Sequence, residues 1–589
     1  MMMNTPPIHP LGTQARILLS SVFGPYAQDD QYGSRKINPM ELYHNQVTRV
    51  QGVYSLRMFH RSFSLLMIQA NIDAPCTVLD FPSLDRFIRE VKTHSYDIIG
   101  VSSIGPNIGK VKAMCRLIRE YQPNATVLVG GHIASMENLD KMVEVDRVVR
   151  GDGIRWLRKF IGQDPEAPVK HPMAYSAFGA RILGVTLRDR PGDVAAILIP
   201  SVGCPIGCNF CSTSALFGGK GRFINFYKTG DELFDIMCDM ERKLKVRSFF
   251  ILDENFLLHR RRALRLLELM QDHQKGWALN VFSSARVIKS YTMEQLVGLG
   301  IIWVWMGLEG KDNHYRKLND IDTRKLVRKL QNHGIRVLGS TIIGLENHTP
   351  ENMPAMIDHA ISHKTDFHQF MLYTPNPGTP LYETHKQAGT LFDESDFSLA
   401  DAHGQYRFNY RHSHIANGME GRFLIDAFTR DFESNGPSLG RLIRTMLKGW
   451  QRYQNHPDKR IRERYRWDSA PIRTTYAGAV WAMKKRLGRN RAVHHQLKIL
   501  LKDLYREFGW KTRVMAPLIG IFCLAAMINE ERRLTKGRAH EPDTFYEKND
   551  AALVLEQAEV VEKKKAVRMN FPLPNPAPGS YASSKSASG

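Results

Sequence analysis

Cysteine is scarce here: seven in 589 residues, an odd number, which excludes a fold stapled by disulfides. No run of about 18 apolar residues appears, so no membrane-spanning helix is expected. Met1 to Pro10 lacks a basic segment followed by an apolar core, so no secretory signal is expected and the cytoplasm is the default compartment. Acidic residues are in deficit, 59 Asp and Glu against 81 Lys and Arg, a formal charge of +22. With 43% hydrophobic and 24% charged residues, the composition is that of a globular protein long enough for about three domains.

Three of the few cysteines crowd one stretch, Cys204-Pro-Ile-Gly-Cys208-Asn-Phe-Cys211. The residues before it, Ala195 to Pro200, read as a buried parallel strand that delivers this loop at its carboxyl end. Three thiolates on one short loop can hold three corners of a cubane iron–sulfur cluster, leaving the fourth iron open. Structural zinc asks for four ligands, usually as two pairs, and the chain has no second C-x2-C. A trio also leaves one thiol over in any disulfide scheme.

The spacing C-x3-C-x-aromatic-C, with Phe210 in the aromatic place, resembles the signature of the radical S-adenosylmethionine (radical SAM) superfamily. The resemblance implies a [4Fe-4S] cluster on Cys204, Cys208 and Cys211 whose open iron chelates SAM. Reductive cleavage of SAM would then give a 5′-deoxyadenosyl radical that abstracts hydrogen from an unreactive carbon. It also implies an electron donor such as flavodoxin or ferredoxin.

Upstream, residues 1–165 alternate short apolar runs with helical stretches, the pattern of a doubly wound parallel sheet. Strands are predicted at 17–21, 77–81, 98–102, 126–131 and 147–151, and a helix over 111–121. Ligands of such sheets sit beyond the carboxyl ends of the strands. Ser102, Ser103 and Gly105, then Gly130, Gly131 and His132, then Gly151, Asp152 and Gly153 fall at three of those ends. Preceding a cysteine loop of this kind, the layout resembles the cobalamin-binding domain found before many radical SAM domains. "VGGHIAS" and "VVRGDG" match its "GG-H" and "RG-E-G" stretches. The resemblance implies cobalamin at Ser102, Ser103, Gly105, Gly130, Gly131 and Gly151. The D-x-H-x-x-G motif that supplies a cobalt-ligating histidine in cobalamin mutases is absent, since Asp401-Ala402-His403-Gly404 is far downstream and wrongly spaced. A sheet that has lost its cofactor and serves as a scaffold is the alternative, and His132 reads as a loop or packing histidine.

Residues 166–193, rich in Pro and Gly, read as a linker. Residues 194–385 alternate strands and helices again, compatible with the partial (β/α) barrel of the superfamily. The resemblance assigns SAM contacts along it at strand ends. Phe210 lies in the cysteine loop; Asp253 and Glu254 stand where the family holds the SAM amino group. Ser284 and Arg286 fall near the ribose and carboxylate, Glu309 ends the "G-x-E" strand, and Gly344 flanks adenine. A helix N-cap is the competing role for Asp253. The stretch Pro375 to Tyr382 resembles the close of these barrels.

Residues 386–540 read as a helical, basic domain; residues 441–540 hold 24 Lys and Arg against 7 Asp and Glu. Such a surface suits anionic lipid, nucleic acid, an acidic substrate or plain solvation. Segment 401–414 either caps the barrel mouth or lies on the surface. Met515 to Ile528, fourteen mostly apolar residues, read as a buried core helix or as one that dips into a membrane interface beside Lys484, Lys485 and Arg486. Residues 541–589 read as a disordered tail.

The fold class is therefore α/β: an N-terminal doubly wound sheet, a central partial barrel and a mostly helical C-terminal region. The leading functional reading is a cobalamin-dependent radical SAM methyltransferase acting on a small-molecule or lipid substrate. A radical cyclisation or rearrangement enzyme is one rival. RNA modification is another, prompted by Trp450, Tyr453, Tyr465 and Trp467 among arginines. An electron-carrying iron–sulfur protein is the non-enzyme rival.

Overall fold

The computed structural model describes residues 7–24, 31–32, 49–176, 178–187, 194–309, 321–536, 538 and 540–569. In the N-terminal third the apolar runs pair as their pattern implies. Ile17–Ser21 is central, with Cys76–Asp80 on one side and Ile98–Ser102, Thr126–Gly130 and Arg147–Val148 on the other. All four pairings are parallel, with Ser21 opposite Ser102 and Ser102 opposite Gly130. Side chains alternate between two cores, as a strand buried on both faces requires. Leu18, Val101 and Val127 meet Val111, Met114 and Ile118 of the helix Ile108–Tyr121. Ile17, Leu19 and Leu128 meet Leu65, Leu157 and Phe160 on the other face.

The second sheet runs Ala195–Leu198, Ser248–Ile251, Ala278–Phe282, Ile301–Glu309, Arg336–Ile343 and Phe367–Leu372 in sequential order, every neighbour parallel. Helices separate the strands; Thr229 opens one of them, Gly230–Leu244, with a reciprocal capping box to Glu232, worth about 1 kcal/mol. The sheet curls into a partial barrel. The loop after its first strand reaches the far edge, where Leu381 N donates to Asn209 O at 3.0 Å and Asn209 Nδ2 donates to Tyr373 Oη at 3.2 Å.

Two regions depart from expectation. Residues 166–193 hold short strands rather than a bare linker. Tyr175–Ser176 pairs antiparallel with the first barrel strand, and Phe178–Ile182 pairs with Arg57–Phe59 and Val185–Thr186. Tyr175–Ser176 is an edge strand, whereas Phe178–Ile182 is paired on both sides. The tail expected at 541–589 is ordered structure through residue 569: a strand Phe545–Lys548 and a helix Asp550–Met569. The strand adds antiparallel to Cys76–Asp80 and covers the edge of the N-terminal sheet. Arg61 fastens it, pairing with Glu547 at 2.6 Å and lying over the Phe545 ring. Residues 570–589 lie outside the described residues.

Of residues 386–540, expected to be helical, 419–535 are mostly helical, whereas 388–418 hold only the 3-10 turn Leu399–Asp401 and a bridge between Leu391 and Tyr410. Part of the positive charge of 419–535 is internal: Arg441 pairs with buried Asp431 at 2.7 Å, buried Arg460 pairs with Asp458 at 2.8 Å, and buried Arg464 donates to the Val297 carbonyl. Trp450, Tyr453 and Tyr465 are buried, so they are not offered for stacking on bases. The helix Arg491–Thr535 bends at Gly509 and, against expectation, contains a stretch long and apolar enough by length and composition to cross a membrane.

A chain ending at residue 540 exposes the Cys76–Asp80 edge and loses several ladder bonds. Its N-terminal sheet should lose at least about 2 kcal/mol, read as a lower unfolding midpoint and earlier light scattering on heating.

Candidate active site

The carboxyl ends of the two parallel sheets face each other across one cavity of about 590 Å³. From the N-terminal sheet it is lined by Ser21, Ser102, Ser103, Gly130, Gly131, His132, Gly151 and Asp152. The barrel contributes Val202, Thr213, Leu216, Phe217, Phe226, Asp253, Glu254 and Phe282, and the helix Phe63–Gln69 forms a third wall. Five of the six residues expected at cobalamin line the cavity; Gly105 does not, since it opens a 3-10 turn beyond the strand end. Gly131 has φ +85°, and a Cβ there would sit 2.6 Å from the Ser103 carbonyl oxygen, so no other residue fits this bend. His132 Nε2 bonds Thr213 Oγ1 at 3.1 Å and ties the two domains. Burial lowers its pKa and keeps it neutral.

The cysteine loop follows the strand Ser201–Val202. Gly207 N donates to Cys204 O, Cys211 N to Cys208 O, and Ser214 Oγ to Cys204 O, winding the loop tightly. Cys211 caps the helix Ser212–Leu216, its Sγ accepting from Ser214 N at 3.5 Å. All three thiols are free of disulfides. Burial pushes Cys204 up to about 11, and the like charges of Cys208 and Cys211 add to the shift. Half-buried thiols so disposed favour a cationic centre. A cubane takes one thiolate on each of three separate irons, whereas structural zinc takes four ligands on one ion. Three thiols on one short loop therefore fit the cluster better.

The residues expected at SAM divide. Glu254 suits an ammonium group: its Oε2 is buried without a hydrogen-bond partner among the described residues, and it lies within the field of Cys204 and Cys211. Burial, with a smaller contribution from Asp253, pushes its acid up to about 7. Asp253 has another job. It accepts from Ser201 Oγ at 2.5 Å, from Arg262 Nη2 at 2.6 Å and from Asn255 N at 3.0 Å, so its charge is already matched. Asn255 in turn accepts from Ser283 Oγ at 2.8 Å and from Ser284 N at 3.1 Å, pinning the neighbouring strand end. Arg286 is exposed, outside the cavity wall and without an ion pair among the described residues. Glu309 is buried at the end of its strand with φ +52°, beside a β-bulge.

Phe210 packs on Ile342, Leu345, Tyr373 and Leu381. Gly344, φ +84°, is covered by the Phe408 ring, and its carbonyl accepts from Tyr410 Oη at 3.2 Å. Segment 401–412 therefore packs across the barrel mouth, with Gln405 Nε2 donating to the Phe370 carbonyl at 2.6 Å. Sequence reasoning missed Arg262, because the run Arg260-Arg261-Arg262 reads as a solvated helix face; only helical pitch turns the third inward. It missed the Phe63–Gln69 wall as well, where the sole signal was a short apolar run.

Residues 56–159 match the B12 binding domain family and residues 198–360 the Radical SAM superfamily. An uncharacterized methyltransferase of Pyrococcus horikoshii is 24% identical over 350 residues, covering 53% of this chain and 73% of its own. Anaerobic magnesium-protoporphyrin IX monomethyl ester cyclase of Rubrivivax gelatinosus is 23% identical over 423 residues, covering 63% of this chain and 74% of its own. The solved structure of the radical S-adenosylmethionine methyltransferase TsrM from Kitasatospora setae, with cobalamin and a [4Fe-4S] cluster bound, aligns over 77% of this chain and 99% of that one. The match has 16% identity and a TM-score of 0.47.

Replacing Arg262 by Met strands a buried carboxylate at the strand end. Arg262→Met should destabilise the barrel by about 3–5 kcal/mol in denaturant unfolding. The double variant Asp253→Asn/Arg262→Met should recover a large part of that loss.

Proposed function

We propose that this chain, a radical SAM enzyme whose residues 56–159 form a B12-binding domain and whose residues 198–360 form a radical SAM domain, transfers a methyl group to an unactivated carbon of a small-molecule acceptor. One observation carries the reading: a single cavity takes its walls from the carboxyl ends of both sheets. A corrinoid held by the first sheet and SAM held by the second would share it. Bound there, cobalamin, the [4Fe-4S] cluster and SAM supply the methyl group and the radical chemistry, with a one-electron donor from outside.

The chain's own residues do the rest. Cys204, Cys208 and Cys211 would hold three irons. Glu254, with its unpartnered Oε2, would accept a hydrogen bond from the SAM ammonium, whose positive charge would in turn keep the carboxylate ionised. Asp253, Arg262 and Asn255 are positioning residues: their bonds lock Glu254's strand end to the cysteine strand and to the next one. Gly130, Gly131 and Gly151 leave room for a bulky planar ring against the backbone. Phe63, Val202, Leu216, Phe217, Phe226 and Phe282 give the cavity an apolar wall, which excludes water and keeps reactive species from side reactions.

The test is anaerobic. Protein loaded with iron, sulfide and hydroxocobalamin, then desalted, should retain corrinoid. Given reductant and deuteromethyl SAM, it should form both 5′-deoxyadenosine and S-adenosylhomocysteine, read by mass spectrometry. Gly131→Val should lose at least about tenfold in corrinoid retention, because its Cβ would strike the Ser103 carbonyl and push apart the strand ends that wall the cavity, while the visible absorption of the cluster stays. 5′-Deoxyadenosine without S-adenosylhomocysteine would overturn methyl transfer and favour cyclisation, the activity in the name of one relative.

A further inference from the structure

Beyond Gly509 the long helix has one face in the protein core and an opposite face that is exposed among the described residues. Thr512, Ala516, Gly520, Cys523, Met527 and Glu530 are buried, at three- and four-residue steps. Ala516, Cys523 and Met527 pack with Ala479, Val480 and Met483 of the helix Thr475–Arg486. Glu530 pairs with Arg181 at 2.7 Å. The outward face carries Trp510, Val514, Leu518, Ile521 and Phe522, exposed by 69%, 52%, 60%, 60% and 63%. These also recur at three- and four-residue steps, so they form one continuous stripe. A surface helix ordinarily turns polar residues outward; this one turns apolar residues outward over more than three turns, from Trp510 to Phe522.

Charge surrounds the stripe with one sign. No acidic residue lies between Glu507 and Glu530. From Lys484 to Lys536 thirteen Lys and Arg stand against four Asp and Glu. Lys484, Lys485, Lys498, Lys511, Arg513 and Arg532 make no ion pair among the described residues. Burial lowers the pKa of Lys484, and the neighbouring charges of Lys485 and Lys498 add to the shift. Lys485 and Lys511 lie beside Trp481 and Trp510. Indole rings and lysine ammonium groups next to an apolar stripe are the arrangement of a helix lying in a headgroup layer.

We propose that this face docks on the surface of an anionic phospholipid bilayer, with the helix in the plane of the interface. Spanning is the wrong geometry, because the buried stripe would have to be stripped from the core and the Glu530–Arg181 pair broken. A second copy is the weaker occupant, because a two-fold contact through this face would press two cationic rims together. Bilayer binding is independent of the proposed reaction, and its test needs neither SAM nor reductant.

The experiment uses the full cluster-loaded chain and sedimentation with vesicles of phosphatidylcholine alone or with phosphatidylglycerol. Binding should be stronger to the anionic vesicles by at least about tenfold and should weaken with salt. Ile521→Asp/Phe522→Asp alters only exposed positions; it should cut binding by at least about tenfold while circular dichroism and cluster absorption stay unchanged. Lys511→Glu/Arg513→Glu should remove the preference for anionic lipid. Failure of the parent chain to bind anionic vesicles overturns the proposal, as does binding that Ile521→Asp/Phe522→Asp leaves intact. Sedimentation velocity separates the rival: a dimer that the same substitutions dissolve, with no vesicle binding, would assign the face to a second copy.

Discussion

A parallel strand hands every following loop to the same edge of its sheet, and that constraint organises this protein. Each of its two parallel sheets collects small or chemically active residues at its carboxyl edge, and the chain sets the two edges face to face. The cavity is the gap between them. Across it His132 bonds Thr213. On the barrel side the buried carboxylate of Asp253 holds the edge in shape by binding a serine from the cysteine strand and an arginine from the next helix at once. A charge so buried costs several kcal/mol in desolvation and is tolerable only because both partners are present.

The C-terminal third contributes to this site from outside. Segment 401–412 lies across the barrel mouth at Gly344, and the helices behind it close the open side of the barrel. Its surplus of positive charge divides into two populations that a residue count merges. Buried arginines are consumed by carboxylates and carbonyls; exposed lysines and arginines surround an apolar helix face. The first population holds domains together and the second offers a surface.

Strand alternation and small residues at strand ends made both sheets legible, along with the cysteine loop and five of the six glycine and serine positions around the cavity. Resemblance supplied Glu254 but equally supplied Asp253 and Arg286, and the three have different fates. Asp253 and Glu254 both follow the strand Ser248–Ile251 and line the cavity, but Asp253 meets Ser201 and Arg262 in a buried ion pair while Glu254 keeps an oxygen without a partner among the described residues. Residues 166–193 and 541–569 read as linker and tail because short strands, two to five residues long, leave almost no periodic signal. Tyr175–Ser176 and Phe545–Lys548 form where an existing sheet edge offers unpaired backbone groups.

By itself the sequence determined what depends on local pattern: the parallel sheets, the trio of thiols and their spacing, the glycines at sharp bends, and the helical and basic character of the last third. Tertiary structure alone decided what depends on partners. It chose which carboxylate stays open, which arginines are spent, which strand covers the edge at Cys76–Asp80, and which face of an apolar helix is left outside. The physical reason is that periodicity reports how a segment presents its faces, whereas burial and ion pairing are properties of two segments meeting, often hundreds of residues apart.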